Sequence, residues 1–450
     1  MKESVYNIWV DRQSYHYVFN GVSGSLLRLD STDYDALQDY LGHRSMLSSP
    51  SVLEQLIRGR MLVADDVDEL ESLQQRYKAT RFDRKGLGLT LVTSLGCNFD
   101  CPYCFEAKQP SVMSDRVQAA VLRLVDEELP KISRLTVTWF GGEPLVGKKA
   151  LIRLSKAFIE RCDRTNVAYE ASIITNGYLL DEETCEKLHN ARIAVAQVTI
   201  DGPPAVHDRM RPLVNGAGTF WQIVKNLRHA INYLTVSVRV NLDVENFHHA
   251  NILLQILASE GLGGKVGVYA GQIVTTNHDT HSVPSNSYKP TCFTNPEFAR
   301  VEREFNAMAK QYGFGDFVLP KPTGAPCTAV RANELVIGSR GELYKCWESV
   351  GNPREVIGHV DDYENADTRT GKWLKYDPFT NVECRSCMAL PVCMGGCAQH
   401  AMDPLQYENR CGTFRHNFRE RVLDFVAQAE QEGLRGIVRT QDLARRMETR

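Results

Sequence analysis

The chain has 450 residues, of which 43% are hydrophobic, and its formal net charge at pH 7 is -3. This composition indicates a globular protein with more than one core, and it provides no basic field for a nucleic-acid partner. No apolar run approaches the roughly 20 residues that span a bilayer, and residues 1–10 do not resemble a signal peptide. We therefore predict a cytoplasmic protein with no membrane partner, whose thirteen cysteines bind metal rather than form disulfides.

Residues 1–85 form the first predicted domain, an α+β unit in which strands precede helices. Runs of β-branched and aromatic residues predict the strands, and polar caps before amphipathic stretches predict the helices. The strands are expected at Val5–Val10, Tyr15–Phe19 and Ser25–Leu29, and the helices from Asp30–Thr32 to Tyr40, from Ser49 or Ser51 to Gly59, and from Asp65 to Arg81.

Residues 86–300 alternate short strand-like runs with amphipathic helical stretches, which is typical of repeated βα units around a parallel sheet. Six such units predict an α/β fold, a partial (β/α)6 TIM-like barrel, whose ligands bind at the C-terminal strand ends. The strands are expected at Leu87–Ser94, Arg134–Gly141, Tyr169–Gly177, Ala194–Gly202, Thr235–Asp243 and Lys265–Val274, and the helices near 115–129, 148–162, 182–190, 219–232 and 247–260.

Three cysteines follow the first predicted barrel strand. Cys97, Cys101 and Cys104 are separated by three and then two residues. Cysteine thiolates normally ligate all the irons of a four-iron cluster, so a triplet with no fourth partner nearby leaves one iron open for a small molecule. Zinc is the alternative that this spacing leaves open.

Turn residues mark the ends of the next three predicted strands. They are Gly141-Gly142-Glu143-Pro144, Thr175-Asn176-Gly177 and Thr199-Ile200-Asp201-Gly202. Glycines allow backbone to approach a ligand closely, and the Glu143 carboxylate can accept hydrogen bonds from an ammonium group. Each segment alone is only a turn signal, but together they indicate a site at one edge of the sheet.

Residues 301–415 contain a second cysteine constellation. Thirteen residues separate Cys327 from Gly341, and four residues separate Gly341 from Cys346. The later cysteines of this region are Cys384, Cys387, Cys393, Cys397 and Cys411. Interleaved thiols of this kind indicate iron–sulfur clusters, with a zinc ribbon as the alternative. A charge-mixed helical tail is predicted for residues 416–450.

The first triplet, together with the GGEP and TNG segments and the run from Asp201 to Arg211, resembles the radical SAM superfamily. The resemblance implies that the open iron binds S-adenosylmethionine (SAM), and that an external reductant such as flavodoxin or ferredoxin drives its cleavage to a 5'-deoxyadenosyl radical. It implies cofactor contacts from Tyr103, Gly141, Gly142, Glu143, Pro144, Asn176, Thr199, Arg211 and Arg239. Ordinary ion pairing is the alternative for the two arginines.

The later cysteines resemble a SPASM domain, which carries two auxiliary clusters, so three 4Fe–4S clusters are implied in all. By this analogy Cys327, Cys346 and Cys397 hold auxiliary cluster I, and Cys384, Cys387, Cys393 and Cys411 hold auxiliary cluster II. Auxiliary cluster I lacks an obvious fourth ligand. Cys292, in a polar loop predicted at 275–296, is a ligand, a redox or substrate residue, or a plain loop cysteine.

The order of elements in residues 1–85 resembles the winged-helix peptide-recognition elements that capture a leader peptide by strand addition. A purely structural cap on the barrel is the alternative.

SPASM proteins commonly modify peptides, so the first functional hypothesis is an oxidoreductase that matures a ribosomally synthesised precursor peptide by a cross-link or other oxidative modification. The rival is an anaerobic sulfatase-maturating, formylglycine-generating enzyme. That family places an acidic base directly after the cysteine of the Gly-x4-Cys unit, where this chain has Trp347 and then Glu348. Glu348 and Cys292 are the catalytic candidates. A non-catalytic iron–sulfur electron-transfer protein or a zinc scaffold is the alternative of another class.

Overall fold

The computed structural model describes residues 1–43, 49–106, 108–274, 291–365, 371–433 and 438–439. The loop predicted at 275–296 lies mostly outside these ranges, and so does the last part of the predicted tail. No helix within these ranges has both the length and the apolar character needed to cross a bilayer.

The N-terminal region combines an antiparallel meander with three helices, in the predicted order. Alternate residues of the meander face opposite sides, so Val18 and Leu27 are buried with Leu37 and Leu56 of the helices. Its elements are β1 (Lys2–Glu3), β2 (Asn7–Arg12), β3 (Tyr15–Asn20), β4 (Leu26–Asp30), α1 (Ser31–His43), α2 (Pro50–Arg58), β5 (Leu62–Val63) and α3 (Glu69–Arg81).

The middle of the chain is a partial barrel of six parallel strands in chain order, which confirms the predicted fold class. The helices bury one stripe each; in α4 the Ser114 hydroxyl caps the first turn, and Val117, Val121 and Leu124 face the sheet. The elements are β6 (Gly86–Ser94), α4 (Asp115–Glu128), β7 (Arg134–Gly141), α5 (Lys148–Thr165), β8 (Ala168–Thr175), α6 (Glu182–Asn190), β9 (Ile193–Thr199), α7 (Pro204–Met210), α8 (Phe220–Ala230), β10 (Thr235–Leu242), α9 (Ala250–Ser259) and β11 (Val266–Gln272).

The C-terminal region is joined to the barrel by a hydrogen-bonded strand. β12 pairs in parallel with β6, and two further strands continue the sheet, so the barrel sheet has nine strands in the described part of the chain. Short helices follow, and α15 packs against the meander through Phe418, Val422 and Val426. The elements are α10 (Asn295–Gln311), β12 (Glu334–Ile337), β13 (Glu342–Tyr344), β14 (Gly358–His359), α11 (Lys372–Lys375), α12 (Val382–Arg385), α13 (Leu390–Cys393), α14 (Ala398–Met402), α15 (Phe414–Gln431) and β15 (Val438–Arg439), the last paired with β4.

Candidate cluster and cofactor site

The first cysteine triplet lies in the loop that leaves the C-terminal end of β6. Burial raises the pKa of Cys97 to about 12, and the charges of Glu143 and Cys101 contribute to the rise. Burial together with Glu106 and Cys101 likewise raises the pKa of Cys104 to about 12. The three thiols are therefore close enough to influence one another electrostatically, and any metal must displace their protons to bind.

The glycine turn after β7 packs directly against this loop. A Cβ atom on Gly141, whose φ is +129°, would lie 2.3 Å from the Ser94 carbonyl oxygen, and one on Gly142 would lie 2.6 Å from that of Leu95. These distances are far below van der Waals contact, so only glycine fits at both positions. We predicted that these glycines allow backbone to approach a ligand closely. In the structure they allow the turn to approach the backbone that leads into the cysteine loop.

Glu143 is fully buried and links two strand ends. Its Oε1 accepts hydrogen bonds from Leu145 N at 2.9 Å and Thr175 Oγ1 at 2.7 Å, and its Oε2 accepts one from Asn176 N at 2.7 Å. Burial raises the pKa of this carboxyl, while these hydrogen bonds oppose the rise. Because a carboxylate has about four acceptor positions, one position on Oε2 remains for another donor.

Asn176 connects the third strand end to the cysteine loop. Its Nδ2 donates to Asn98 Oδ1 at 2.8 Å and lies 3.8 Å from Cys97 Sγ. The predicted GGEP and TNG segments therefore meet the cysteine loop in one place.

A buried polar network closes the other side of the loop. The Tyr103 hydroxyl donates to Asp201 and accepts from Arg211, and it also accepts from Asn241 Nδ2 at 3.2 Å. Arg211 Nη1 lies 3.6 Å from Asp201 Oδ2. Arg211 thus has an internal ion partner, as the alternative interpretation of this arginine anticipated.

His207 holds Arg211 in place through Thr219. The Thr219 hydroxyl donates to the Arg211 carbonyl at 2.7 Å, so it accepts from His207 Nε2 at 3.0 Å, while His207 Nδ1 accepts from Asp201 N. Burial and the nearby Arg211 charge hold the pKa of His207 well below its usual range. His207 is therefore a neutral, structural histidine.

Thr199 and Arg239 are direct neighbours on the adjacent strands β9 and β10. Arg239 Nε donates to Asn241 Oδ1 at 2.8 Å, and its charge also reaches Asp201. Thr199, Arg211 and Arg239 thus lie around one buried carboxylate at the barrel mouth.

Three buried polar atoms at this site have no hydrogen-bond partner among the described residues. They are Asn98 Nδ2, Glu106 Oε2 and Arg211 Nε. Burial and the neighbouring Glu143 raise the pKa of Glu106 to about 8. Since buried polar groups are normally satisfied, these atoms and the three thiols fit a site that takes a cluster with a polar ligand.

The thiols assigned to auxiliary cluster I are neighbours although they are distant in sequence. Burial raises the pKa of Cys346, with contributions from Glu348, Cys397 and Cys327, and burial and Cys397 raise the pKa of Cys327. His400 lies beside them: burial opposes its charge, but a hydrogen bond to Cys397 raises its pKa to about 9.

The thiols assigned to auxiliary cluster II form a separate group. Burial and the charges of Cys393, Cys411 and Cys387 raise the pKa of Cys384 to about 11. Arg415 Nη1 lies 3.2 Å from Cys411 Sγ and can donate to it. Soft thiol donors in both groups fit iron–sulfur clusters or zinc.

A single metal ion has no ready-made site here. Within the residues that the structure describes, no three His, Cys, Asp or Glu side chains converge at the distances that one ion requires. The cluster assignments of all ten cysteines remain predictions.

The remaining candidates lie in different places. Trp347 packs in the barrel interior on Phe140, with ring centroids 5.3 Å apart. Glu348 is exposed, and its Oε2 lies 3.8 Å from His400 Nε2. Cys292 packs beside Tyr103 and Met210 at the barrel mouth.

Sequence reasoning assigned no role to Glu106, Asn98 or Asn241. One signal was present, because Asn241 follows Arg239 by two residues and so shares its face of β10. Glu106 and Asn98 had no signal beyond their proximity to the cysteines.

The chain is similar to known proteins in sequence and in fold. Residues 91–256 match the Radical SAM superfamily. The chain is 22% identical over 329 residues to the cysteine-type anaerobic sulfatase-maturating enzyme of Clostridium novyi (strain NT), a match that covers 68% of this chain and 86% of that enzyme.

Two solved structures share the fold. Native anSMEcpe with bound AdoMet and Cp18Cys peptide superposes with a TM-score of 0.58 and 17% identity, over 76% of this chain and 99% of that one. Streptococcus suis SuiB bound to precursor peptide SuiA superposes with a TM-score of 0.52 and 14% identity, over 92% of this chain and 99% of that one.

Proposed function

Because this chain carries a radical SAM domain, we propose that it is a peptide maturase. Its substrate is a ribosomally synthesised precursor peptide, from one residue of which it abstracts a hydrogen atom. The product carries a cross-link or another oxidative modification. The observation that carries the proposal is the meeting of the Cys97–Cys104 loop with the glycine turn, Asn176 and the unsatisfied polar atoms at the barrel mouth. When bound, a reduced cluster with SAM supplies the 5'-deoxyadenosyl radical that abstracts the hydrogen. We place the reaction in the cytoplasm, where thiols stay reduced.

We assign the first cluster to Cys97, Cys101 and Cys104, and the SAM amino and carboxylate groups to the side chains around them. The remaining acceptor position on Glu143 Oε2 suits an ammonium group. Arg211 Nε, buried and without a partner among the described residues, suits a carboxylate, with Thr199 and Arg239 nearby. The Tyr103 backbone would face adenine, while its hydroxyl keeps Arg211 and Asp201 in position.

We assign Cys327, Cys346 and Cys397 to auxiliary cluster I, and Cys384, Cys387, Cys393 and Cys411 to auxiliary cluster II. The grouping of the thiols by mutual electrostatic influence supports both sets. Auxiliary clusters held by these thiols would suit an oxidative reaction, because a substrate radical that forms a new bond must lose an electron and an iron–sulfur cluster can accept it.

The peptide class of the substrate is supported by the whole-chain fold. SuiB, solved with its precursor peptide, matches 92% of this chain, so the shared fold extends beyond the barrel. The meander and helices of residues 1–85 would bind the leader segment by strand addition.

Formylglycine formation is the second candidate, and the sulfatase-maturating relative favours it. The residue directly after Cys346 counts against it. Trp347 cannot act as a base, and the Glu348 side chain is 47% exposed and directed at His400.

The test is anaerobic reconstitution of the full chain with iron, sulfide, SAM and dithionite. The wild-type protein should bind about twelve irons and form 5'-deoxyadenosine. The Cys97→Ala/Cys101→Ala/Cys104→Ala variant should lose about a third of the iron and all of the deoxyadenosine. The Cys162→Ala variant, in the core of α5, is the matched control and should keep both.

Incubation with a short precursor peptide encoded by a neighbouring gene then separates the reactions by mass spectrometry. Loss of two hydrogens indicates a cross-link, whereas exchange of sulfur for oxygen indicates formylglycine. Deoxyadenosine formed by the triple variant would refute the site, and an iron-loaded wild type that leaves SAM intact would favour an electron carrier.

A further inference from the structure

A basic groove of about 670 Å³ lies on the outer face of α5. Five cations and one carboxylate line it, in a chain whose net charge is -3. The cations are Lys148, Lys149, Arg153, Lys156 and Lys187, and the carboxylate is Glu160.

Three of these lysines form no ion pair within the described residues. Arg153 is paired with Asp115 at 2.6 Å, and Lys187 with Glu183. Lys149 and Lys156 are exposed, and Lys148 Nζ donates to Thr184 Oγ1 at 2.9 Å. Glu160 lies one helical turn after Lys156 and offsets part of its charge. Ile152, Ala157 and the aliphatic lysine stems give the groove an apolar floor, so the groove combines apolar contact area with net positive charge.

The groove begins at the N-terminal end of α5, next to the end of β6. Gly147 directly precedes α5, and a Cβ atom on it would lie 2.7 Å from Thr93 Cβ, so the start of α5 abuts the end of β6. Val146, 43% exposed, extends the apolar surface onto the turn that follows Glu143. A protein seated in the groove would therefore contact the helix whose start adjoins the strand that leads into the loop assigned to the first cluster.

We propose that this groove docks an acidic one-electron donor protein, of the flavodoxin or ferredoxin class. The inference rests on the proposed function, which requires one electron to break a carbon–sulfur bond of the sulfonium and so yield methionine and the deoxyadenosyl radical. Redox encounters are small and weak, and complementary charge steers them. A precursor peptide must instead reach the barrel mouth, on the inner side of α5.

The experiment compares two reductants on the reconstituted full chain. Reduced flavodoxin needs a docking surface, whereas dithionite is a small ion that does not. The test variant is Lys149→Glu/Lys156→Glu. Its matched control is Lys225→Glu/Lys265→Glu, which reverses two exposed lysines on α8 and just before β11.

With flavodoxin, the test variant should show a rise of about tenfold in KM at low salt and a weaker dependence on ionic strength. Its dithionite-driven rate and its KM for the peptide should equal those of the wild type, and the control variant should match the wild type throughout.

An unchanged flavodoxin KM would overturn the docking proposal. So would an equal loss with both reductants, or an effect confined to the KM for the peptide. If the wild type itself forms no deoxyadenosine with dithionite, the proposed function fails instead.

Discussion

The barrel and the cysteine-rich C-terminal region are stabilised in different ways. The barrel buries one continuous apolar core contributed by β6–β11 and their helices, to which α10, β12 and β13 add residues. Residues 371–412 instead contain helices of only four or five residues, which are marginal alone. Their apolar side chains, such as Trp373 and Leu390, pack partly on Tyr6 and Tyr77 of the N-terminal region. Apolar burial thus specifies the barrel, whereas we expect thiol ligation to complete the C-terminal fold.

Removing one thiol of auxiliary cluster II should give the largest effect. Structural metal sites contribute on the order of 10 kcal/mol, so Cys384→Ala should sharply reduce hydrogen-exchange protection in residues 371–412 and leave β6–β11 protected. The matched change in the barrel is Cys185→Ala, which opens a small cavity and should destabilise only the barrel by about 1–2 kcal/mol. Retained protection in Cys384→Ala would show that packing alone holds the C-terminal region.

Asp201→Asn should be the most damaging single change in the polar part of the barrel. It leaves Arg211 buried beside a neutral amide, and breaking a buried pair in this way costs about 3 kcal/mol. Thermal unfolding measures the loss. Asp163→Asn breaks an exposed pair with Arg192 and should change the melting temperature little. Equal shifts for the two variants would contradict the role of Asp201.

Glu143→Gln should destabilise the barrel mouth by about 2 kcal/mol, because the new amide group must face a backbone N–H that it cannot accept from. Denaturant unfolding of the apo protein measures this without any cofactor. Glu170→Gln, an exposed change on β8, should stay within about 0.5 kcal/mol of wild type. If both variants match the wild type, the strand ends do not depend on the carboxylate.

The smallest effect is expected where α10 meets α15. Arg303 Nε and Nη2 donate to the two Asp424 oxygens at 2.6 and 2.8 Å. Because Arg303 is 42% exposed, Arg303→Ala should cost about 1 kcal/mol or less. Urea unfolding tests this, and a loss comparable with that of Asp201→Asn would mean that this contact anchors the tail helix.

The sequence predicted the regular part of the fold well because its periodic pattern is local. The strand at 134–141 and the helix at 182–190 have the predicted ends. The helix α7 escaped prediction because Pro203 and Pro204 suggest a turn, although Pro204 occupies the first helical turn, where proline is accepted. β12–β14 were too short to show an alternating pattern.

Only the local features of the site could be predicted from the sequence, because contacts between distant residues leave no local pattern. Spacing alone singled out the cysteines as candidates, since chance rarely reproduces it, and their cluster roles stay predictions. Two of the three donors to Glu143, Thr175 and Asn176, lie at the end of the neighbouring strand. The polar groups around Asp201 also come from several elements, so only the folded chain brings either set together. Trp347 was noted for its position after Cys346, but its packing on Phe140 depends on how β13 meets the barrel.

The pairing of β12 with β6 has a consequence for engineering. Residues Glu334–Ile337 align with Gly88–Leu91 rung by rung, and the cysteine loop leaves the far end of that same strand. The hydrogen bonds between β12 and β6 therefore fix the distance between the barrel loop and the C-terminal thiols, which a flexible linker would not do. A chimera that borrows another protein's C-terminal module should therefore be spliced after β13, since a junction before β12 would let the two halves slip in register.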